Sequence, residues 1–302
     1  MKESRVEVVD RKKTGCYQTL ISFLNFAHQK LLQAEVASPR LDAEILMAEN
    51  LNISRAELMT YPGRLLTHVE ADNFLSKVDR RILREPISHI TGIKEFWSLE
   101  FSVNEKVLVP RPETEMLVEQ CLKALKKKSS PVRILDLGSG SGILAIVLAK
   151  EIPHSQITAI EKSTLEVARK NALRHSVDDQ VCFISADLMK TDWQGPYHLI
   201  ISNPPYIKSE ELLKCMPEVR QYEPTEALDG GQDGLDYYRF IVPMALEKLE
   251  EGGLLGLEIS HTQADAVVAL MESSSGYHSI QVFQDYSGFD RVVLAIKRRQ
   301  NG

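Results

Sequence analysis

The sequence predicts an α/β protein: a mostly parallel sheet covered by helices on both faces, behind a small all-α domain and a β-hairpin linker. Three observations carry that expectation. From Pro110 onward, β-branched runs alternate with helical patterns. The first of those strands ends in a glycine-rich turn, "ILDLGSGSG", that opens a helix. Upstream, residues 16–84 carry helical periodicity and helix caps only. The boundaries expected are a helical domain over 1–85, a linker over 86–109 and an α/β domain over 110–302.

The elements follow in order. "TLISFLNFAHQKLL" sets Leu20, Phe23, Leu24, Ala27 and Leu31 on one helical face. Ser38-Pro39 reads as a helix start. Ser54 with Glu57, and Thr67 with Glu70, fit capping boxes, while Pro62 and Pro86 mark stops. "ISHITGIKEFWSLEFSVNEKVLVP" is rich in β-branched and aromatic residues, has turn signals at Thr91-Gly92 and Asn104, and reads as a strand pair. The strands expected next are "VRILDLG", "QITAIE", "VCFISAD", "YHLIISN", "GLLGLEI", "HSIQVFQ" and "RVVLAIK". Between them stand the helices "GILAIVLAKE", "TLEVARKNALRH", "YYRFIVPMALEKLEE" and "TQADAVVALMES".

Composition narrows the class. The chain of 302 residues is 43% hydrophobic and 26% charged, the profile of a globular protein with enough apolar material for a full core. Its net charge of −6 gives no global attraction to nucleic acid. Residues 16–84 balance eight basic against eight acidic side chains, unlike a nucleic-acid reader; the helical domain reads as a packing module or, in preference, as a docking surface for a protein. Cys16, Cys121, Cys182 and Cys215 fit no zinc or redox spacing and read as reduced, mostly buried thiols. No metal constellation appears among the eight histidines. The N-terminus has no apolar signal region and no window reaches the length of a membrane span, so a cytoplasmic protein is expected.

Four strand ends carry the chemistry. Gly138, Gly140 and Gly142 let backbone approach a ligand closely, with Asp136 just before them. The nicotinamide fingerprint needs a third glycine where Ile143 stands, so that cofactor class is excluded. Glu161 ends the next strand, where an acid can accept from both hydroxyls of a ribose. Asp187 ends the following one. Asn203-Pro204-Pro205-Tyr206 ends the fourth. Asn203 and Pro204 each precede a proline and are held extended, and neither proline has an N–H. The turn offers carbonyl oxygens and the Asn203 amide as a cluster of acceptors, with Tyr206 as a flat lid. That cluster suits a planar group bearing –NH₂. A bare structural turn competes at the glycines and at Asn203 to Tyr206, and a solvated loop acid at Glu161; the strand-tip positions in register weigh against them, and Asp187 adds support.

Asp136 with the G-x-G-x-G spacing resembles motif I of S-adenosylmethionine-dependent methyltransferases, and Asn-Pro-Pro-Tyr resembles motif IV of the amino-group enzymes. "VLVPRPETE", "YEPTEALDGGQDGLDYYR", "LEISHTQ" and "DYSGFDRVVLA" stand around them. Together, over residues 16–297, they resemble the HemK (PrmC) family of peptide chain release factor glutamine N5-methyltransferases. The resemblance implies a seven-stranded, Rossmann-like class I methyltransferase fold. It implies S-adenosyl-L-methionine as cofactor, S-adenosyl-L-homocysteine as product, and the Gly-Gly-Gln glutamine of class I release factors as target. On that pattern Gly138, Ser139, Gly140, Ser141 and Gly142 hold the methionine part. Glu161 binds the ribose, and Asp187 with Leu188 flanks the adenine. Asn203, Pro204, Pro205 and Tyr206 hold the glutamine amide, with Asn203, Pro204 and Tyr206 catalytic and Asn203 also against the cofactor. Arg111, Pro112, Glu113 and Thr114 line the mouth of the site. A monomer with no direct nucleic-acid or membrane partner is implied.

The chain departs from the pattern in two places: Glu161 replaces the usual Asp, and Ser139 the usual Thr. Its own Gly230-Gly231-Gln232 lies inside the "ALDGGQDGLD" segment and reads as a turn before a helix, not as a target. An adenine N6-methyltransferase shares the two motifs but would want a basic recognition domain. A scaffold that has lost catalysis would not need an intact Asn-Pro-Pro-Tyr.

Overall fold

The computed structural model describes residues 19–125, 131–163 and 165–299. They form two compact units that divide between Thr91 and Gly92. Cys16, which opens the expected helical stretch, and Thr164, which opens an expected helix, lie outside the described residues.

The first unit contains α1 (Leu20–Gln33), α2 (Pro39–Leu51), α3 (Arg55–Thr60), α4 (His68–Ile82) and α5 (Ile87–Thr91). α1 buries Leu20, Phe23, Leu24, Ala27 and Leu31, the face its spacing predicts. Both capping boxes form: Ser54 Oγ accepts from Glu57 N at 3.2 Å, and Glu57 accepts from Ser54 N at 2.7 Å. Thr67 and Glu70 repeat the exchange at 3.2 and 2.8 Å. Asp42 and Arg81 are both buried and pair at 2.7 Å, so neither charge is left alone in the core.

The second unit begins with β1 (Ile93–Phe96) and β2 (Leu99–Ser102), an antiparallel pair. The expected strand pair therefore starts later than its sequence. Ile87–Thr91 is helical because Pro86 starts a turn well: its carbonyl accepts from His89 N and Ile90 N at 3.0 and 3.1 Å. The hairpin turn is Trp97-Ser98, both at φ 56°, rather than an expected turn residue. Tertiary bonds offset that backbone strain: Glu115 Oε1 accepts from Trp97 N, and Glu95 Oε1 from Ser98 N, each at 2.7 Å.

There follow α6 (Thr114–Leu125), β3 (Arg133–Leu137), α7 (Ile143–Glu151), β4 (Gln156–Glu161) and α8 (Glu166–Arg174). Next are β5 (Val181–Ser185), β6 (Tyr197–Ser202), α9 (Pro217–Tyr222), α10 (Asp236–Lys248) and β7 (Leu249–Glu258). The described chain closes with α11 (Ala264–Ser273), β8 (Tyr277–Gln284) and β9 (Asp290–Lys297). The seven-stranded sheet has the order β5-β4-β3-β6-β7-β9-β8, with β9 antiparallel to its neighbours and the other pairs parallel.

Alternation along the strands splits the core in two. Ile134, Ile157, Leu199 and Leu254 pack with α6 and α7 on one face. Leu135, Ile160, Ile200 and Leu255 pack with α10 and α11 on the other. Of the described cysteines only Cys121 is buried. Cys182 is exposed because β5 is an edge strand whose alternate side chains leave the packed face, and Cys215 is half-buried.

The chain returns to the middle of the sheet between β5 and β6, so connections leave β3 and β6 in opposite directions. In such sheets the crevice outside the carboxyl ends at this switch point takes the ligand.

Candidate active site

Each of the four strand ends singled out in the sequence meets that crevice. After β3, Gly138, Gly140 and Gly142 have φ of 73°, 53° and 84°, a region that favours glycine. A Cβ at Gly138 or Gly140 would stand in open space, so the turn forms an uncovered cradle. Gly142 is free for a different reason: a Cβ there would press on Ala168 of α8 at 3.2 Å. Ser139 is buried and its Oγ has no partner among the described residues; with Ser141 it lines a small cavity beside Thr114 and Asn203. Asp136 lies beneath the turn, fully buried. Its Oδ2 accepts from Ala145 N at 3.1 Å, and Oδ1 has no partner among the described residues. Burial, with a contribution from Glu161, pushes its carboxyl up to about 7.

A cavity of about 310 Å³ runs along these strand ends. Gly138, Gly140, Glu161, Asp187, Leu188, Asn203 and Pro205 line it, joined by Tyr237. Glu161 is not idle: its Oε2 accepts from Gly140 N at 2.8 Å, and Oε1 from Ser163 N and Oγ at 2.9 Å. The carboxylate thus clasps the glycine turn, and two oxygens with four acceptor sites keep capacity for a ligand hydroxyl. Asp187 Oδ1 accepts from Met189 N at 3.0 Å.

A second cavity of about 180 Å³ opens beyond Asn203. It is lined by Pro204, Tyr206, Ile207, Met216, Val219 and Arg111. Asn203 is a wall of both. Its Nδ2 donates to Thr114 Oγ1 at 3.2 Å, and nothing among the described residues donates to its Oδ1. Burial pushes the Tyr206 phenol well above its ordinary range, Glu258 adding to the effect, so Tyr206 is a neutral group and not a base.

The turn is braced from behind by residues to which the sequence alone assigns no role. Gln263 Nε2 donates to the carbonyls of Tyr206 and Gly234, both at 3.0 Å. Ile207 N donates to Leu228 O at 2.9 Å and Gly230 N to Ile207 O at 2.8 Å. A Cβ at Gly230 would stand 2.8 Å from Pro205 O, and one at Gly234 2.4 Å from Tyr206 O. Gly230-Gly231-Gln232 is thus part of the brace, a turn leading into α10. Buried Glu223 accepts from Arg111 Nη2 at 2.7 and 2.8 Å and from the amide of Val109, fixing the segment before α6. Pro112 and Glu113 are exposed beside it, whereas Thr114 is fully buried.

A seven-stranded sheet with one reversed strand, and a glycine turn at its switch point, define a class I methyltransferase. The solved catalytic domain of hMettl16 shares the fold, with a TM-score of 0.53 at 14% identity, over 79% of this chain and 86% of that one. Residues 22–92 match the PrmC N-terminal domain, and residues 113–218 the methyltransferase small domain. The release factor glutamine methyltransferase of Geobacter sulfurreducens is 39% identical over 91% of this chain and 95% of its own. That of Coxiella burnetii is 41% identical over 85% and 92%. The chain belongs to the release factor glutamine methyltransferase family.

Proposed function

We propose that the protein methylates the side-chain amide nitrogen of a glutamine, the one in the Gly-Gly-Gln motif of class I release factors, using S-adenosyl-L-methionine. The observation that carries this reading is the placement of Asn203 between two cavities, its NH₂ group tied to Thr114 and its Oδ1 left to accept. The residues fit the cofactor: an uncovered glycine cradle and carboxylates at the next two strand ends line the larger cavity, and in the small cavity beside it a buried serine hydroxyl has no partner among the described residues. On this reading Gly138 to Gly142 hold the methionine part, Glu161 the ribose, and Asp187 with Leu188 the adenine. When bound, the cofactor supplies an electrophilic methyl group.

The protein's task is positioning. An amide lone pair is delocalised, so the nitrogen attacks only when held roughly 3–3.5 Å from its target and in line. Asn203 Oδ1 and the Pro204 carbonyl accept the two N–H bonds of the glutamine, favouring a pyramidal nitrogen. Those bonds strengthen as positive charge develops on it. Tyr206 and the apolar lining beyond it receive the glutamine chain. Arg111, Pro112 and Glu113 line the entrance, and the charge-balanced helical unit docks the release factor. The enzyme works as a cytoplasmic monomer without nucleic acid or membrane.

The test is Asn203→Ala, assayed with labelled cofactor on a purified release factor and on DNA. Turnover on the release factor should fall by about 10²–10³-fold, with cofactor affinity changed less. Asn203→Asp keeps an acceptor and should retain partial activity. A folded Asn203→Ala enzyme within a few-fold of wild type, or a wild type that methylates DNA instead, would overturn the reading.

A further inference from the structure

We propose that Glu258 is a positioning residue that sets the orientation of the Asn203 amide through the Thr114 hydroxyl. The proposal rests on the reading of Asn203 as the acceptor for the substrate amide.

The arrangement follows from how α6 lies on β7. A Cβ at Gly256 would stand 2.7 Å from Cys121 Sγ and 3.3 Å from Leu117 Cδ1, so helix and strand meet closely there. Glu258 is two residues further along the strand, on the same face. Thr114 is one turn earlier on the helix. That register sets the Thr114 hydroxyl toward the Glu258 carboxylate, which it stabilises and whose Oε2 has no hydrogen-bond partner among the described residues; the hydroxyl oxygen accepts from Asn203 Nδ2 at 3.2 Å, which leaves its proton for the carboxylate. Thr114 is 0% exposed and Glu258 1%, so water does not compete.

The chain of bonds has one sensible direction. An ionised carboxylate can only accept, and a threonine hydroxyl has one proton to give. With that proton on Glu258, only the NH₂ end of Asn203 can face Thr114. A flipped amide would set oxygen against oxygen and leave the catalytic side with a donor. If Glu258 served only to fill space, an apolar side chain would serve better, because a buried carboxylate is costly.

The direction holds only while Glu258 is charged. Burial pushes its carboxyl up to about 7; Thr114, Arg291 and Arg111 oppose the rise and Glu113 adds to it, with Tyr206 and Tyr238 also close. Protonated, Glu258 can donate to Thr114 and free the amide to turn. Turnover should therefore decline as the pH falls through about 7.

The experiment measures turnover of the full chain on a purified release factor, against pH, for Glu258→Gln, Thr114→Val, Thr114→Ser, the Gln/Val double variant and Asn203→Ala. Thermal melting first establishes that each folds. Glu258→Gln and Thr114→Val should each slow kcat by about 10- to 100-fold, the range typical of lost outer contacts and small misplacements. KM for the release factor should stay within about threefold, since the contact acts on the reacting geometry. The double variant should be no slower than the slower single one. Thr114→Ser should recover most of the loss, and Glu258→Gln should lack the limb near pH 7. Glu258→Gln with wild-type kcat and pH profile, or losses that multiply in the double variant, would overturn the relay. If Asn203→Ala is inactive in the same series, the reading of Asn203 survives; if it is active, that reading falls too. Should Thr114→Val not fold, the Glu258→Gln rate and pH profile decide.

Discussion

Two glycines on either side of the site should respond to alanine in opposite ways. Gly138 and Gly234 have nearly the same backbone, φ 73° and 78°. A left-handed conformation costs an alanine about 1–2 kcal/mol at either place. They differ in what the new methyl meets. At Gly138 it meets open space in the proposed cofactor cradle, so the folded protein bears the backbone strain alone. At Gly234 it would stand 2.4 Å from Tyr206 O and 2.6 Å from Gln263 Nε2, inside the brace of the Asn-Pro-Pro-Tyr turn. Overpacking of that kind adds about 1–3 kcal/mol, for a total of about 2–5 kcal/mol. Urea melting and calorimetric titration with S-adenosylhomocysteine separate the two. Gly138→Ala should lose only about 1–2 kcal/mol of stability yet bind the ligand at least about tenfold more weakly, equivalent to about 1.4 kcal/mol. Gly234→Ala should be clearly destabilised and, where folded, should bind the ligand within a few-fold of wild type while turning over poorly. Tight binding by Gly138→Ala would mean that the turn is only architecture. A Gly234→Ala protein as stable as wild type would mean that the brace yields without strain.

Two other expectations concern carboxylates. Glu161→Ala removes the acceptor for Gly140 N and Ser163 as well as the proposed ribose contact, so it should weaken S-adenosylhomocysteine binding by about 1.5–3 kcal/mol; an unchanged dissociation constant would refute the assignment. Asp136 is held near 7 in the folded protein against an ordinary 3.8, so its contribution to stability is fully present below the unfolded value and is lost as pH rises through about 7. Asp136→Asn does not titrate and should gain on wild type by about 1–4 kcal/mol between pH 4 and pH 8, at roughly 1.4 kcal/mol for each tenfold change in acidity between the folded and unfolded protein. A stability difference that does not vary with pH in urea melts would show that Asp136 ionises freely.

The parts legible in the sequence are those written in local pattern. The buried face of α1 follows from spacing alone, and both capping boxes from a pair of residues three apart. The strand ends are legible because a turn at the switch point needs glycine or proline, and both leave a mark. Ile87–Thr91 misleads because β-branched residues suit a strand, whereas the fold uses Pro86 to start a helical turn there. Trp97-Ser98 gives no signal because nothing local favours a left-handed turn at those residues; its support comes from Glu115 and Glu95.

The brace behind the site is illegible for a related reason. Arg111 and Glu223 are 112 residues apart, and Gln263 reaches Tyr206 across 57. "LEISHTQ" holds both Glu258 and Gln263 in plain view, but a glutamate ending a strand is ordinary in sequence. What distinguishes Glu258 is 1% exposure and a carboxylate oxygen with no hydrogen-bond partner among the described residues, and its burial depends on α6 lying across β7 where Gly256 admits it. A side chain that acts through another leaves its trace in packing, so the residues that touch substrate are the easier ones to find. The residues that aim them become visible only when their burial requires a reason.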